Sequence, residues 1–260
     1  MDRSRRHRFS RQIQFPGIGE PGQERLARAA AAVVGCGGLG STLVQCLGRA
    51  GIRRLTIIDQ DEPDFTNLHR QFLFDEKDVA GKTNKARLAG RRIARADSGL
   101  EVKAIAQKLA AKNADALLSG HDLVLDGLDN MPGRFLVNDW CVKNRVPWIY
   151  GGVAGATGMV LVVRPGHGPC LRCLFPDPEA AAQGADVKSA GIINTLPAHV
   201  ATLQATEAVK LLVRSPALVT DLRIVDLWRG ADQKIKLRRD PDCPCCGKHR
   251  FEFLESKKKE

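Results

Sequence analysis

The run from Ala31 to Asp61, AAVVGCGGLGSTLVQCLGRAGIRRLTIIDQD, constrains the fold more than any other stretch of the chain. An apolar strand enters Gly35-Cys36-Gly37-Gly38-Leu39-Gly40, a helix is predicted from about Ser41 to Gly51, and a second strand, Leu55 to Ile58, ends on Asp59. This is the start of a nucleotide-binding βαβ unit. One glycine makes the tight turn, one lets backbone N–H groups approach a phosphate, and one lets helix and strand pack closely. The helix N-terminus then presents partial positive charge to the phosphates. Asp59 follows Gly40 by nineteen residues, near the offset of roughly twenty at which an acid meets a ribose hydroxyl. On these residues alone the ligand is an adenine nucleotide, with NAD and ATP both open.

The alternation continues downstream. A turn-rich connection, Gln60 to Asn84, is too long for a plain loop and is a candidate functional segment. Helices are predicted from Lys85 to Asp97, from Asn113 to Leu118 and from Asn130, as cap, to about Asn144, with strands at Glu101 to Ala106 and His121 to Asp126 between them. Strands Val146 to Tyr150 and Thr157 to Val163 are expected on either side of a glycine-rich turn, Gly151 to Gly155. Leu174 to Leu196 lacks periodicity and reads as a mobile surface crossing. A helix from Pro197 to Arg214 follows, with Val200, Leu203, Val209 and Leu212 as its buried set, then strands Leu222 to Leu227 and Lys234 to Leu237. The expectation is an α/β, Rossmann-like, mostly parallel sheet with extra C-terminal strands. It forms a single domain over residues 1–260: an N-terminal arm and helix at 1–30, a nucleotide-binding core at 31–163, and the crossing loop at 174–196.

The chain has 260 residues, 43% of them hydrophobic, enough for a sizeable core. No apolar run approaches the roughly eighteen residues that cross a bilayer, and the arginine-rich start has no hydrophobic segment after it, so a cytoplasmic protein without a membrane role is expected. Much of the formal charge of +11 sits at the ends, in Arg3, Arg5, Arg6, Arg8 and Arg11 and in Lys257 to Lys259. Such runs read as solvated tails, and surface ion pairs are expected for Arg3, Arg5 and Arg6. With only 5% aromatic residues there is no stacking platform, which argues against nucleic acid; a positive surface suits acidic partners.

Eight cysteines in a reducing compartment direct attention to metal spacing rather than disulfides. Cys170-Leu171-Arg172-Cys173 and Cys243-Pro244-Cys245-Cys246 supply two C-x-x-C pairs that close a tetrahedral thiolate site for zinc, with Cys170, Cys173, Cys243 and Cys246 as ligands. Four thiolates leave no open position, so the zinc is structural and ties the tail to the sheet. Cys245 is surplus, either a substitute ligand or a free thiol. Cys36, Cys46 and Cys141 read as inert packing residues.

The glycine motif, Asp59-Gln60-Asp61, Asn67-Leu68-His69-Arg70-Gln71, Asp126-x-x-Asp129-Asn130 and the two C-x-x-C pairs together resemble the MoeB/ThiF/HesA adenylyltransferases, relatives of the ubiquitin-activating enzymes. The resemblance runs from Arg8 to Gly247. It implies a homodimer that uses Mg-ATP to adenylylate the C-terminal glycine of a ubiquitin-like sulfur carrier ending in Gly-Gly, of the MoaD or ThiS type, for sulfur transfer from a persulfide donor. It also implies that Arg11 reaches the nucleotide from the neighbouring subunit. Asp61, Gln71 and Asn130 belong to the nucleotide-binding set with Gly35, Gly37, Gly38, Gly40 and Asp59.

The residue types suit that chemistry. A carboxylate attacking the α-phosphate is already an anion, so the reaction needs alignment and charge compensation rather than a base. Arg70 and Lys85 can neutralise phosphate oxygens, Asn67 can position a phosphate or its metal, and Asp129 is a magnesium ligand of the expected kind. Two departures from the pattern stand out. Gly81-Lys82-Thr83-Asn84-Lys85 is one residue longer than usual before the lysine, which favours Lys85 over Lys82. Val187 stands where a cysteine is often found, which argues against a covalent thioester or acyl-disulfide step. The carrier is expected on the apolar face near Val153 to Val160 and on the crossing loop. Rival readings are an NAD-dependent oxidoreductase, a zinc-stabilised scaffold that binds a carrier without activating it, and the same activation feeding amide formation or protein conjugation.

Overall fold

The computed structural model describes residues 2–183 and 191–255. Five consecutive small and branched apolar residues, Ala30–Val34, form strand β1, buried along its whole length. A strand without a polar face needs cover on both sides, which only a central position in a helix-flanked sheet provides. β1 lies between β2 (Arg54–Ile58) and β4 (Leu123–Asp126), parallel to both. β3 (Glu101–Ile105) closes one edge. On the other side β5 (Trp148–Ala154) continues the parallel set, after which β6 (Thr157–Val163), β7 (Leu222–Asp226) and β8 (Ala231–Ile235) add antiparallel strands. The order of the eight-stranded sheet is β3-β2-β1-β4-β5-β6-β7-β8.

The two faces carry separate cores. One is covered by α3 (Gly19–Leu26), α4 (Gly38–Ala50), α6 (Lys85–Ala96) and the long α11 (Thr195–Val213). Gly48 lets α4 approach α6: a Cβ there would sit 2.3 Å from Ile93. The other face holds α7 (Ala114–Leu118), α8 (Met131–Lys143), α9 (Leu171–Leu174), α10 (Pro178–Gln183), α12 (Glu252–Glu255) and the cysteine knuckles. Shorter helices α1 (Arg3–Arg8), α2 (Ser10–Ile13) and α5 (Glu76–Ala80) complete the set. No helix among the described residues is long and apolar enough to cross a membrane.

The expected α/β sheet is present, and several local boundaries differ. The stretch Gly151 to Ala154 is strand, not turn, because its glycines pair in register with β6 and only Gly155 and Ala156 reverse the chain. The helix expected within residues 1–30 begins at Gly19 and stops at Leu26, since Ala30 is claimed by β1. The crossing segment is not wholly irregular: α9 ends at Leu174 and α10 occupies Pro178–Gln183, while the expectation for Val187 lies outside the described residues. In α11 the fully buried apolar positions are Leu196, Val200, Ala201 and Ala208; Leu203, Val209 and Leu212 are only partly covered. Small residues face the sheet here because α11 packs closely on α4 and on β5 and β6. Arg6 makes the expected surface pair with Glu20, whereas Arg5 pairs with Asp97, which is buried, and Arg3 forms no ion pair among the described residues.

Candidate functional site

The glycine loop is locked by backbone contact. Gly35 has φ +87°, and a Cβ on it would meet the Gly127 carbonyl oxygen at 2.5 Å. A Cβ on Gly40 would lie 1.9 Å from the Gly35 carbonyl oxygen, and one on Gly127 2.3 Å from the same atom. Three backbones therefore meet at one point, and no side chain fits at any of them. Gly38 serves packing of another kind, since its Cβ would sit 2.9 Å from Pro197 in the first turn of α11. Gly37, at the N-cap of α4, offers no side-chain acceptor, so the first N–H groups of that helix are left for an external anion.

Asp59 directly follows β2 and faces this loop. Its two oxygens accept from the Cys36 N–H and, at 2.7 Å, from the Asp61 N–H. Each oxygen keeps a lone pair for another donor, as a ribose hydroxyl would supply. Burial pushes the Asp59 carboxyl up, against those two N–H groups and the Lys85 ammonium, which pull it down.

Asn84 fastens this strand end to α6. Its amide donates to the Asp59 and Asp61 carbonyls at 2.9 and 3.1 Å, and its oxygen caps α6 by accepting from Arg87. The Lys85 N–H adds a 2.8 Å bond to the Asp61 carbonyl. Lys85 is thereby set at the first position of α6 and buried to 7% exposure, and its ammonium forms no ion pair among the described residues. Its charge acts on Asp59 and on Cys36. Lys82 is exposed and held at φ +44°. Asn84 went unnoticed in the sequence, although an asparagine directly before a helical run is the residue type that caps it.

The connection from β2 folds back over the loop. A 3₁₀ turn, Phe65–Asn67, is capped by Asp64, and the Asn67 carbonyl accepts from the N–H groups of Arg70 and Gln71. The Arg70 guanidinium donates to the Thr66 carbonyl at 2.8 Å. Gln71 is buried, its amide 3.5 Å from where a Gly37 Cβ would stand, and its oxygen is buried with no partner among the described residues. An orphaned acceptor beside an uncapped helix end is unusual in a finished core and fits a site that receives a polar ligand.

Asp129 and Asn130 lie on the loop after β4, both exposed. Asn130 accepts from Gly133 N–H at 2.9 Å, capping α8, and donates to Asp129 at 3.2 Å. Beneath them the fully buried Asp126 accepts from Arg134 Nε at 3.0 Å and from the Leu128 N–H at 2.8 Å, while Arg134 donates to the carbonyls of Leu128 and Gly151. Gln204 of α11 donates to the Asp126 and Ile149 carbonyls. Neither Arg134 nor Gln204 was legible as a support, because each acts through elements far apart in sequence.

The structure thus groups the glycines, Asp59, Asp61, Arg70, Gln71, Lys85 and the Asp129-Asn130 loop at the C-terminal ends of the parallel strands, where open α/β sheets bind ligands. Arg11 is not with them. Its helix α2 is fastened at the far end of α4, where Gln12 donates to the Ala50 carbonyl at 2.9 Å and Phe9 packs on Gly51. A thirteen-residue helix puts that end roughly 20 Å from the loop.

The four expected zinc ligands do meet. The Sγ atoms of Cys170, Cys173, Cys243 and Cys246 lie within 4.8 Å of one another, with Cys170–Cys243 at 3.7 Å and Cys173–Cys246 at 3.4 Å. A tetrahedron with zinc–sulfur bonds of about 2.3 Å requires sulfurs roughly 3.8 Å apart, so the set fits that ion. Cys245 is outside it and accepts from Asn138 Nδ2 at 3.2 Å, while Asn138 Oδ1 accepts from the Leu171 N–H. One asparagine of α8 therefore holds both knuckles.

Comparison with known proteins agrees with this architecture. A sulfur carrier protein adenylyltransferase from Thermus thermophilus is 38% identical over 246 residues, covering 92% of this chain and 90% of the relative. A protein of Haloferax volcanii named SAMP-activating enzyme E1 is 33% identical, covering 98% of this chain and 94% of its own. Among solved structures, Escherichia coli MccB with MccA-N7isoASN superposes with a TM-score of 0.79 over 93% of this chain and 74% of that one; at 23% identity it speaks for the fold alone. The ThiF family model matches residues 9–245, and on that match the chain belongs to the ThiF family.

Proposed function

We propose that this protein is an adenylyltransferase that uses ATP to activate the C-terminal glycine carboxylate of a ubiquitin-like sulfur carrier as an acyl-adenylate. The observation that carries the reading is Lys85, a buried cation without an ion-pair partner among the described residues, beside an uncapped helix end and an orphaned glutamine oxygen. A buried charge is costly unless it is compensated, and a polyphosphate supplies the compensation.

In this reading the N–H groups at the start of α4 and the Lys85 ammonium hold phosphate oxygens, and Asp59 accepts from the ribose. Arg70 and Asn67 align the α-phosphate for attack. Asp129 would hold magnesium, which when bound screens the phosphate charge against the incoming carboxylate. The carboxylate oxygen forms its bond to the α-phosphorus as the bond to the β-phosphate oxygen breaks, and pyrophosphate leaves with that electron pair. No residue need remove a proton. Zinc held by the four thiolates would take no part in this step and would fix the tail.

The far position of Arg11 supports its working in trans, the partner's Arg11 completing each site of a homodimer. The carrier sits on the face near Val153 to Val160 with its tail threaded toward the phosphates, and a separate persulfide donor consumes the adenylate.

The test is exchange of labelled pyrophosphate into ATP with candidate carriers ending in Gly-Gly, each paired with a version lacking its last glycine. Exchange that depends on that glycine is expected. Exchange absent with every carrier, or indifferent to the glycine, sinks the reading.

A further inference from the structure

A cationic groove lies at the opposite end of the sheet from the glycine loop. Its walls come from the end of β6 and the turn after it, from the residues just before β7 and from the chain after β8, around a volume of about 260 Å³. Because β6 runs antiparallel to β5, Val163 pairs with Trp148 at the start of β5, and Leu222 pairs with Ile235 at the same end. Seven-residue strands place this end roughly 20 Å from the loops that hold Asp129 and Gly35.

Arg164, Lys236, Arg238 and Arg239 line the groove with one carboxylate, Asp221. The ion pairs of the neighbouring segments, Arg223–Asp232 and Lys248–Asp242, involve none of these cations. Arg239 donates to the Cys246 carbonyl, which anchors the groove to the second knuckle. Gly168 is part of the lining; its backbone is not left-handed, and a Cβ there would meet nothing within 4 Å.

We infer that this groove is a binding site for a small phosphoryl polyanion of the diphosphate or triphosphate class, separate from the nucleotide site. Charge and shape both select that class. Like charges brought together on two chain segments repel one another, and an anion with several negative oxygens offsets the excess over Asp221. Guanidinium forks suit phosphoryl oxygens, which accept two parallel N–H bonds. The walls surround a concavity rather than a flat strip, which favours a compact anion over a long one.

The test uses the full-length protein saturated with a non-hydrolysable ATP analogue, so that the glycine loop is already filled, and titrates inorganic tripolyphosphate by calorimetry at low salt. A binding event with Kd below about 1 mM is expected, weakened at least about tenfold by Arg164→Gln with Arg238→Gln and strengthened by Asp221→Asn. Gly168→Leu, which adds bulk to the lining without altering charge, weakens it too. Absence of binding in the loaded protein, or equal Kd in the wild type and Gly168→Leu, overturns the inference even if the double variant does not fold. A glutamate-rich peptide that binds as tightly as tripolyphosphate also overturns it, assigning the cations to an acidic protein segment. The inference stands or falls independently of carrier activation, since pyrophosphate exchange does not enter the measurement.

Discussion

The glycine-loop region and the cysteine knuckles are both polar islands beside an apolar core, and they treat their polar groups in opposite ways. At the knuckles four sulfurs face one another, and Asn138 spends its oxygen on Leu171 and its amide on Cys245. At the loop, α4 begins uncapped, Gln71 keeps an unpaired oxygen and Lys85 forms no ion pair among the described residues. The first region is closed and stabilises; the second is left incomplete, as a site that must accept and release a charged ligand has to be.

The sharpest way to break that contrast is to open the closed side. Cys243→Ser should drop zinc content from about one ion per chain to near zero by metal analysis, and the loss of tail anchoring should lower Tm by roughly 10 °C. Cys245→Ser should retain the metal. If both variants keep zinc, the four-sulfur assignment is wrong.

On the open side, Lys85→Ala should reduce pyrophosphate exchange about 10³-fold with little change in thermal unfolding, whereas Lys82→Ala should reduce it less than about threefold. Mixing Arg11→Ala with Lys85→Ala chains should restore about a quarter of wild-type exchange, because half of randomly assorted dimers then hold one intact site. Arg11→Ala that stays inactive on mixing would place Arg11 in its own subunit's site, and Arg11→Ala that is active by itself would place it outside the reaction.

A smaller effect is expected from the support between the two regions. Arg134→Met removes one partner of a buried ion pair and should destabilise by about 3 kcal/mol in urea unfolding, with Asp126→Asn recovering part of that loss in the double variant.

The smallest effect is a pH dependence. The Leu118 carbonyl can only accept, so His121 Nδ1 carries the proton that bonds to it at 2.9 Å, and Nε2 accepts from the Thr56 hydroxyl at 2.7 Å. Burial holds the His121 imidazole below its ordinary value, with Arg54 and Lys103 adding to the effect. The unfolded chain therefore takes up a proton that the fold refuses, and stability declines as pH falls below about 6.5. His121→Gln should flatten that slope by a few tenths of a kcal/mol, the half-exposed ring being screened by solvent.

What could be read from the residues follows the range over which their physics acts. The βαβ start, the Asn130 cap and the cysteine pairing are local patterns, and each forms where its spacing placed it. The boundaries that shifted were decided by distant partners. Gly151 and Gly152 read as turn residues, yet β6 supplies the ladder that keeps them extended, and Gln204 fills the space where a Gly151 side chain would stand. Arg134 and Asn84 escaped notice for a related reason: their roles are hydrogen bonds to backbone from other elements, which leave no spacing signature. Arg11 shows the remaining gap, since a residue proposed to act on another subunit has no signal in its own surroundings.

The meeting of Gly35, Gly40 and Gly127 also orders events in time. The Gly35 carbonyl is pinned between α4 and the turn after β4, so the loop cannot take its final shape while β4 is undocked. Local βαβ formation comes early in such a chain because its contacts are near in sequence. Nucleotide affinity should therefore arise later than the motif's own secondary structure. During synthesis, a nascent chain ending before residue 127 would have the helix and the glycines but no grip on the phosphates.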